Sequence, residues 1–309
     1  MSLSKVHTQH ILGAGAVGHL MAVLQNQAGF NTEIIPRSDY GDIKRITYKA
    51  NDYMSRQSVC FSGPENNSSI NLLWLTVKSY QVEEALTLIR HRLTPDAKIF
   101  LMQNGMGNLE AAQRVLVNTI PAEQIYVVIN THGALLEDAE EDVIIHHTGI
   151  GKLLFGRNYL HDTKVTTGLA VTDFVSDQLH PAWSTQIETE LWAKLGINAV
   201  INPLTAIYQC RNGQLLEKTE LRNLTEQLIA ELITFYQKLG YSELVSSFSD
   251  RCHTVIENTA RNYSSMMLDE KLGRQTEIES ITGYLLSRAD RVRLAMKGHR
   301  SLYHRFQKN

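Results

Sequence analysis

Two sets of residues in this chain have the types and spacing to do chemistry. The first is Gly13-Ala14-Gly15-Ala16-Val17-Gly18, a G-x-G-x-x-G. Its first glycine allows a tight turn, its second lets a pyrophosphate approach the backbone, and its third lets a helix pack close to a strand. The helix N-terminus that follows offers N–H groups and partial positive charge to phosphates. The second set is Lys194, Asn198 and Asn202, recurring every four residues within the stretch ELWAKLGINAVIN. On a helix they share one face, about 6 Å apart per step. The rest of that helix is mostly apolar and should be buried, and burying a lysine and two amides without partners costs several kcal/mol. Asparagine is also a poor helix former, so the face reads as a binding face. A solvent-facing stripe at a domain junction would share the pattern. Pro203 is expected to kink or end the helix. Glu277 is the natural partner for Lys194. Thr276-Glu277-Ile278-Glu279 fits a capping box, with Thr276 as N-cap and Glu279 reaching back, and the helix dipole favours a carboxylate in that first turn. A surface glutamate that merely starts a helix would look the same. A carboxylate near Lys194 would keep the lysine protonated, able to donate to a developing alkoxide.

The glycine loop needs its context. An apolar strand ending at Leu12 precedes it, helical periodicity runs from Ala16 to Ala28, and Asn31 to Ile35 reads as a second strand. That second strand ends Ile34-Ile35-Pro36-Arg37-Ser38. Glu33 lies inside the strand rather than at its tip, whereas Arg37 stands at the tip, where a guanidinium can clamp a ribose 2′-phosphate. NADPH is therefore favoured over NADH, against the plain alternative of a solvated arginine. Lys78 and Gln81 follow the apolar run ending at Val77, and Asn104-Gly105-Met106-Gly107 follows the strand ending at Met102. Ligands in open α/β sheets sit beyond the carboxyl ends of strands, which places these residues in reach of a cofactor. A surface lysine or an ordinary turn would also read this way.

Apolar runs at Asn71–Val77, Lys98–Met102, Ile125–Asn130 and Val143–His146 alternate with a helical pattern at Val82–Arg90. Strands alternating with helices predict a parallel, doubly wound sheet. Every proline except Pro203 precedes residue 184, and none follows Pro203. The later part should be helical, with Gln214–Leu239 as one helix stopped by Gly240 and another running through Leu285 toward Arg293. The expected class is α/β: a Rossmann-like doubly wound sheet over residues 1–184, then an all-helical domain over 185–309. The His146-His147 pair reads as strand-end decoration, since no third metal ligand lies at a recognisable spacing.

The chain has 309 residues, of which 43% are hydrophobic and 20% charged, a globular mixture rather than a disordered one. Its 30 basic and 32 acidic residues leave a net charge of -2, which argues against nucleic acid or anionic membrane as partner. Three scattered cysteines, Cys60, Cys210 and Cys252, provide neither a disulfide framework nor a zinc motif. No apolar run reaches the roughly 18 residues of a membrane span, and the N-terminus lacks the apolar core of a signal peptide. A cytoplasmic protein is expected.

With GAGAVG at 13–18, VKSYQ at 77–81, QNGMGNLE at 103–110, THGA at 131–134, WAKLGINAVINPLTAI at 192–207, NGQL at 212–215, and NYSSMMLD and RQTEIESITG within 262–283, the chain resembles the ketopantoate reductase family over nearly its whole length. The resemblance implies reduction of the keto group of 2-dehydropantoate to (R)-pantoate, on the route to pantothenate and coenzyme A, with NADPH as cofactor. It implies that Gly13, Ala14, Gly15, Ala16, Val17, Gly18, Arg37, Lys78, Gln81, Asn104, Ala134 and Glu277 contact NADPH. It implies Lys194 as general acid with Glu277 beside it. Asn104, Lys194, Asn198, Asn202, Asn212, Asn262 and Ser265 would hold the substrate. Two positions depart from the expected pattern: Arg211 stands where a proline is expected, and Gly133 where an alanine is. A reductase of another branched 2-keto acid, or an NADPH-binding regulatory protein without turnover, would share much of this sequence. The expected partner is the small-molecule substrate, with no metal, and the chain would act as a monomer or homodimer.

Overall fold

The computed structural model describes residues 8–37, 43–138, 143–157, 159–160 and 168–307. They fall into two compact units. The first takes the chain to Gln103 and then Asn108–Ile187; the second takes Asn104–Gly107 and everything from Glu188. The sequence placed the change at residue 184, where the composition shifts.

In the first unit the strands and helices are β1 (Gln9–Leu12), α1 (Ala16–Gln27), β2 (Thr32–Ile35), β3 (Ile43–Ala50), β4 (Tyr53–Phe61), β5 (Ile70–Leu75), α2 (Val82–Ile89), β6 (Leu93–Leu101), α3 (Asn108–Leu116), β7 (Ile125–Asn130), β8 (Gly133–Asp138), β9 (Val143–Gly149), β10 (Leu153–Gly156) and β11 (Pro181–Trp183). They form one sheet in the order β11-β10-β7-β6-β5-β1-β2-β4-β3-β9-β8. From β7 to β2 it is parallel, as the alternating pattern predicts. The apolar runs INLLWL of β5 and IYVVIN of β7 suit strands buried on both faces.

Beyond that doubly wound parallel centre, the flanks carry antiparallel pairs that the alternating pattern does not specify. β3 and β4 form an antiparallel hairpin in which Ala50 faces Tyr53 across only Asn51 and Asp52, with Asn51 at φ +50°. A two-residue link cannot make the crossover that parallel strands need. β8 pairs antiparallel with β9, and β10 with β7. His147 also departs from the expected strand-end decoration. It is buried, its Nδ1 lies 2.8 Å from the Tyr48 hydroxyl and its Nε2 3.0 Å from His132 Nδ1. The register shift between Gly133 and Ala134 accompanies this inward turn. Burial pushes the imidazoles of both His132 and His147 below the ordinary histidine range.

The sheet's core is aromatic. Trp74 stacks on Phe100 with centroids 4.5 Å apart, and Phe100 stacks on Tyr126 at 5.2 Å. The polar atoms among them are matched: Trp74 Nε1 donates to Gln9 Oε1 at 2.8 Å, and Gln9 and Gln25 both donate to the Phe174 carbonyl at 2.9 Å.

The second unit is helical: α4 (Ile187–Tyr208, its first residue grouped with the sheet), α5 (Gln214–Glu217), α6 (Thr219–Leu239), α7 (Ser242–Asn258), α8 (Ser265–Lys271), α9 (Tyr284–Arg291) and α10 (Lys297–Phe306). The single helix expected over 214–239 breaks at Lys218, whose backbone is extended at φ -89° and ψ 123°. Arg222 Nε donates to the Leu216 carbonyl at 2.7 Å and satisfies one group that the break exposes. Gly240 ends α6 at φ +82°, as expected, and Tyr241 N–H returns to the Tyr236 carbonyl at 3.0 Å. Pro203 does not end its helix. α4 continues through it to Tyr208, because Ala199, Val200, Ile201, Leu204 and Ala206 are all buried and their packing outweighs an interior proline's cost of about 3 kcal/mol. Among the described residues, no helix is long and apolar enough to cross a membrane.

Candidate active site

The glycine loop joins β1 to α1 in the first unit. Gly13 has φ +123°, and a β carbon there would meet Thr76 Oγ1 and Val77 N at 2.8 Å. A β carbon on Gly18 would collide with the Gly13 carbonyl. Around Gly15 nothing lies within 4 Å of the same atom. The outer glycines are thus packed against protein while the middle one opens to space. The N-terminus of α1 begins there with no side-chain cap and no acid in its first turn. These features suit a phosphate, which would supply the missing acceptors and the negative charge.

At the end of β2, Glu33 and Arg37 have different surroundings. Glu33 accepts from the Ser62 hydroxyl and lies 3.6 Å from Arg92 Nη2 and 3.5 Å from His10 Nε2. Its carboxylate is engaged inside the fold. Arg37 is exposed and pairs with the equally exposed Glu84 at 3.2 Å. Gln81 turns back to accept from Lys78 N–H at 3.2 Å, shaping the single helical turn that leads into α2. Ala134 lies on β8 opposite His147. Gly133 cannot be an alanine without adjustment, since its β carbon would stand 2.7 Å from Thr148 Oγ1.

The second unit gathers Lys194, Glu277 and Asn104. α4 presents Lys194, Asn198 and Asn202 at successive turns. Gly196, between Lys194 and Asn198, allows close packing: a β carbon there would collide with the Tyr236 hydroxyl, which donates to the Trp192 carbonyl at 2.8 Å. Burial lowers the Lys194 ammonium to about pKa 8, while the Glu277 carboxylate opposes that fall. Glu277 is only 6% exposed, and its Oε2 is 3.5 Å from Asn104 Nδ2. Asn202 is 7% exposed, yet among the described residues its carboxamide has no hydrogen-bond partner, and neither does that of Asn198. Lys194, Asn198 and Asn202 thus give one face of α4 a polar stripe that a polar ligand can meet.

The expected capping box is absent. Glu279 Oε2 accepts from the Tyr303 hydroxyl at 2.7 Å instead of reaching back. Residues 279–283 form a π-helical turn leading into α9, and Glu277 lies before it. Ile281 N–H and the Ser280 hydroxyl both donate to the Glu277 carbonyl, at 3.1 Å each.

The remaining expected substrate residues are differently engaged. Asn212 Nδ2 donates to Thr259 Oγ1 at 2.9 Å and its N–H to the Asn262 carbonyl at 3.0 Å, while its Oδ1 is buried with no partner. Asn262 and Ser265 are exposed. Arg211 N–H donates to Gln214 Oε1 at 3.0 Å, a bond that proline could not make. The residues missed in the sequence are Ser264 and Thr205. Ser264 caps α8 by accepting from Met267 N–H at 3.1 Å, and its hydroxyl lies 2.7 Å from that of Thr205, which is 2.8 Å from the Ile201 carbonyl. A serine before an apolar helical stretch was the available signal. Among the described residues, no group of three or more His, Cys, Asp or Glu could hold a metal ion.

The sequence pattern of the family described as Ketopantoate reductase PanE/ApbA matches residues 9–159, and that of its C-terminal part matches 186–309. A 2-dehydropantoate 2-reductase of Vibrio cholerae is 32% identical over 301 residues, covering 95% of this chain and 94% of its own. Among solved structures, a D-mandelate dehydrogenase with NADH and anilino(oxo)acetate aligns with a TM-score of 0.82 at 20% identity, covering 96% of both chains. A dimeric ketopantoate reductase of Staphylococcus aureus aligns at 0.76 and 22% identity, covering 98% of both. At those identities the two structures share the fold.

Proposed function

This chain belongs to the ketopantoate reductase family, and from that premise we propose that it reduces 2-dehydropantoate to (R)-pantoate with NADPH, serving the synthesis of pantothenate. The observation that carries the chemistry is a lysine whose ammonium is lowered to about pKa 8, held up against burial by Glu277, on a helix face it shares with Asn198 and Asn202. Such a lysine is charged at neutral pH and gives up its proton more readily than an exposed one.

The first unit holds the cofactor. Its glycine loop and the open N-terminus of α1 receive the pyrophosphate, with Ala14, Ala16 and Val17 lining the turn. Arg37 takes the 2′-phosphate, and Lys78, Gln81 and Ala134 line the remainder. The second unit, residues 104–107 included, holds the substrate. Asn198 and Asn202 orient its carboxylate and hydroxyl, with Asn104, Ser265 and the pair Asn212 and Asn262 around them. The bound nicotinamide supplies a hydride to the C2 ketone. Lys194 Nζ polarises the ketone oxygen and protonates it as negative charge develops, and Glu277 keeps that amine charged between turnovers. The free thiols of Cys60, Cys210 and Cys252 suit a reducing cytoplasm.

The purified protein should oxidise NADPH only when ketopantoate is added, in equal amounts with (R)-pantoate identified by chiral chromatography. NADPH that binds without being consumed, or a faster turnover of another branched 2-keto acid, would overturn the assignment.

A further inference from the structure

The Asn-Gly-Met-Gly segment after β6 and the π-helical turn before α9 meet within the second unit. Met106 N–H donates to the Ser280 carbonyl at 2.9 Å. Gly105 lies at φ +81°, and a β carbon on it would collide with the Ser280 carbonyl oxygen, with the carbonyl carbon only 2.7 Å away. Those are backbone atoms and cannot rotate aside. Gly107, at φ +94°, seats against the Tyr284 ring, 3.3 Å from a β carbon placed on it. Ser280 is bonded on its other side too, its hydroxyl donating to the Glu277 carbonyl at 3.1 Å. One residue of the π turn therefore grips both the segment that carries Asn104 and the residue whose carboxylate Asn104 meets.

We propose that Gly105, Met106 and Ser280 form a positioning device for the Lys194–Glu277 pair. A π turn carries one extra residue and disturbs the helical ladder, which lets a carbonyl turn toward an outside donor. Here the Ser280 carbonyl takes the Met106 amide and sets Asn104 Nδ2 against Glu277 Oε2. The carboxylate is then held where it raises the Lys194 amine. None of the three is assigned to bind substrate or cofactor. Their effect passes through the placement of Glu277, and glycine at 105 is required by the approach of two backbones rather than by the turn alone. The inference rests on reading Lys194 and Glu277 as the proton-donating pair.

The test compares Gly105→Ala with Gly29→Ala. Gly29 has φ +84° and nothing within 4 Å of a β carbon, so it shares the backbone strain without the collision. The measurements are kcat and KM for ketopantoate against pH, with thermal unfolding alongside. Gly105→Ala should lose roughly 10²-fold in kcat, the scale of a misplaced group about 1 Å out of position. Its alkaline fall in kcat should also begin below the pH of about 8 set by Lys194, since a displaced carboxylate no longer raises the amine. Gly29→Ala should keep both kcat and the alkaline limb. An unmoved limb in Gly105→Ala, or an equal loss in Gly29→Ala, overturns the proposal. If Gly105→Ala does not fold, Ser280→Ala decides: its limb should move in the same direction and be restored in Ser280→Thr, and an unmoved limb overturns the proposal. Lys194→Ala separates this from the underlying reading. If that variant keeps the alkaline limb, the proton-donating pair itself is wrong and the inference falls with it.

Discussion

In the proposed reaction, the charge on the Lys194 amine is what would govern turnover. Its two influences oppose each other: burial lowers it and Glu277 raises it, leaving it at about 8. Only the protonated amine donates, so kcat should fall as pH rises through about 8. Glu277→Gln removes the raising influence and should move that fall to lower pH, measured as the midpoint of the kcat–pH curve. Glu277→Ala combined with Lys194→Ala should cost less than the two separate losses summed, since the groups act as a unit. Arg37 makes a different kind of prediction. Its bond to Glu84 is an exposed ion pair worth about 0–1 kcal/mol, whereas a charge-assisted phosphate contact is worth about 1.5–3 kcal/mol. The phosphate should win the arginine. Arg37→Ala should therefore lower the NADPH-over-NADH preference by ~10-fold or more in dissociation constants, and an unchanged preference would show that another residue reads the phosphate.

The polar face of α4 was legible in the sequence because a four-residue spacing survives into three dimensions wherever a helix forms. Asn202→Ala should raise KM for ketopantoate and leave NADPH affinity nearly unchanged, as steady-state kinetics with each substrate varied will show. What the helix does at its far end was not legible. Pro203 reads as a stop locally, and only the burial of its neighbours Ile201 and Leu204 keeps the helix going. Thr276 to Glu279 reads as a capping box because its residue types fit, but Tyr303, 24 residues on, takes the Glu279 carboxylate. Local patterns cannot anticipate a partner that distant. Gly196 shows the same limit, since inside a helix it looks like a weakness. Its use appears only with Tyr236 and Phe248 packed over it. Gly196→Ala should destabilise the protein by about 1–3 kcal/mol through overpacking, read as a lower thermal midpoint with the pH limb in place.

The parallel centre of the sheet followed from alternating strand and helix patterns, while its antiparallel flanks did not. β3 pairs with β4 and β8 with β9, and β4 has mostly exposed or half-covered positions in place of the apolar run of a central strand. The glycine loop was readable because Gly13, Gly15 and Gly18 stand between an apolar strand and a helical pattern. Binding should stabilise the whole chain: NADPH at one hundred times its dissociation constant adds about 2.7 kcal/mol, so the melting temperature should rise, and rise less with NADH. Whether Lys194 donates the proton is tested by the pH dependence of ketopantoate reduction by the wild type and by Lys194→Ala, both followed through nicotinamide absorbance. The wild type should show kcat falling above a pH of about 8. Folded Lys194→Ala should retain roughly 10⁻² to 10⁻⁴ of that rate with no alkaline fall. A folded Lys194→Ala protein that reduces ketopantoate near the wild-type rate, with the same alkaline fall, would contradict the assignment of the acid.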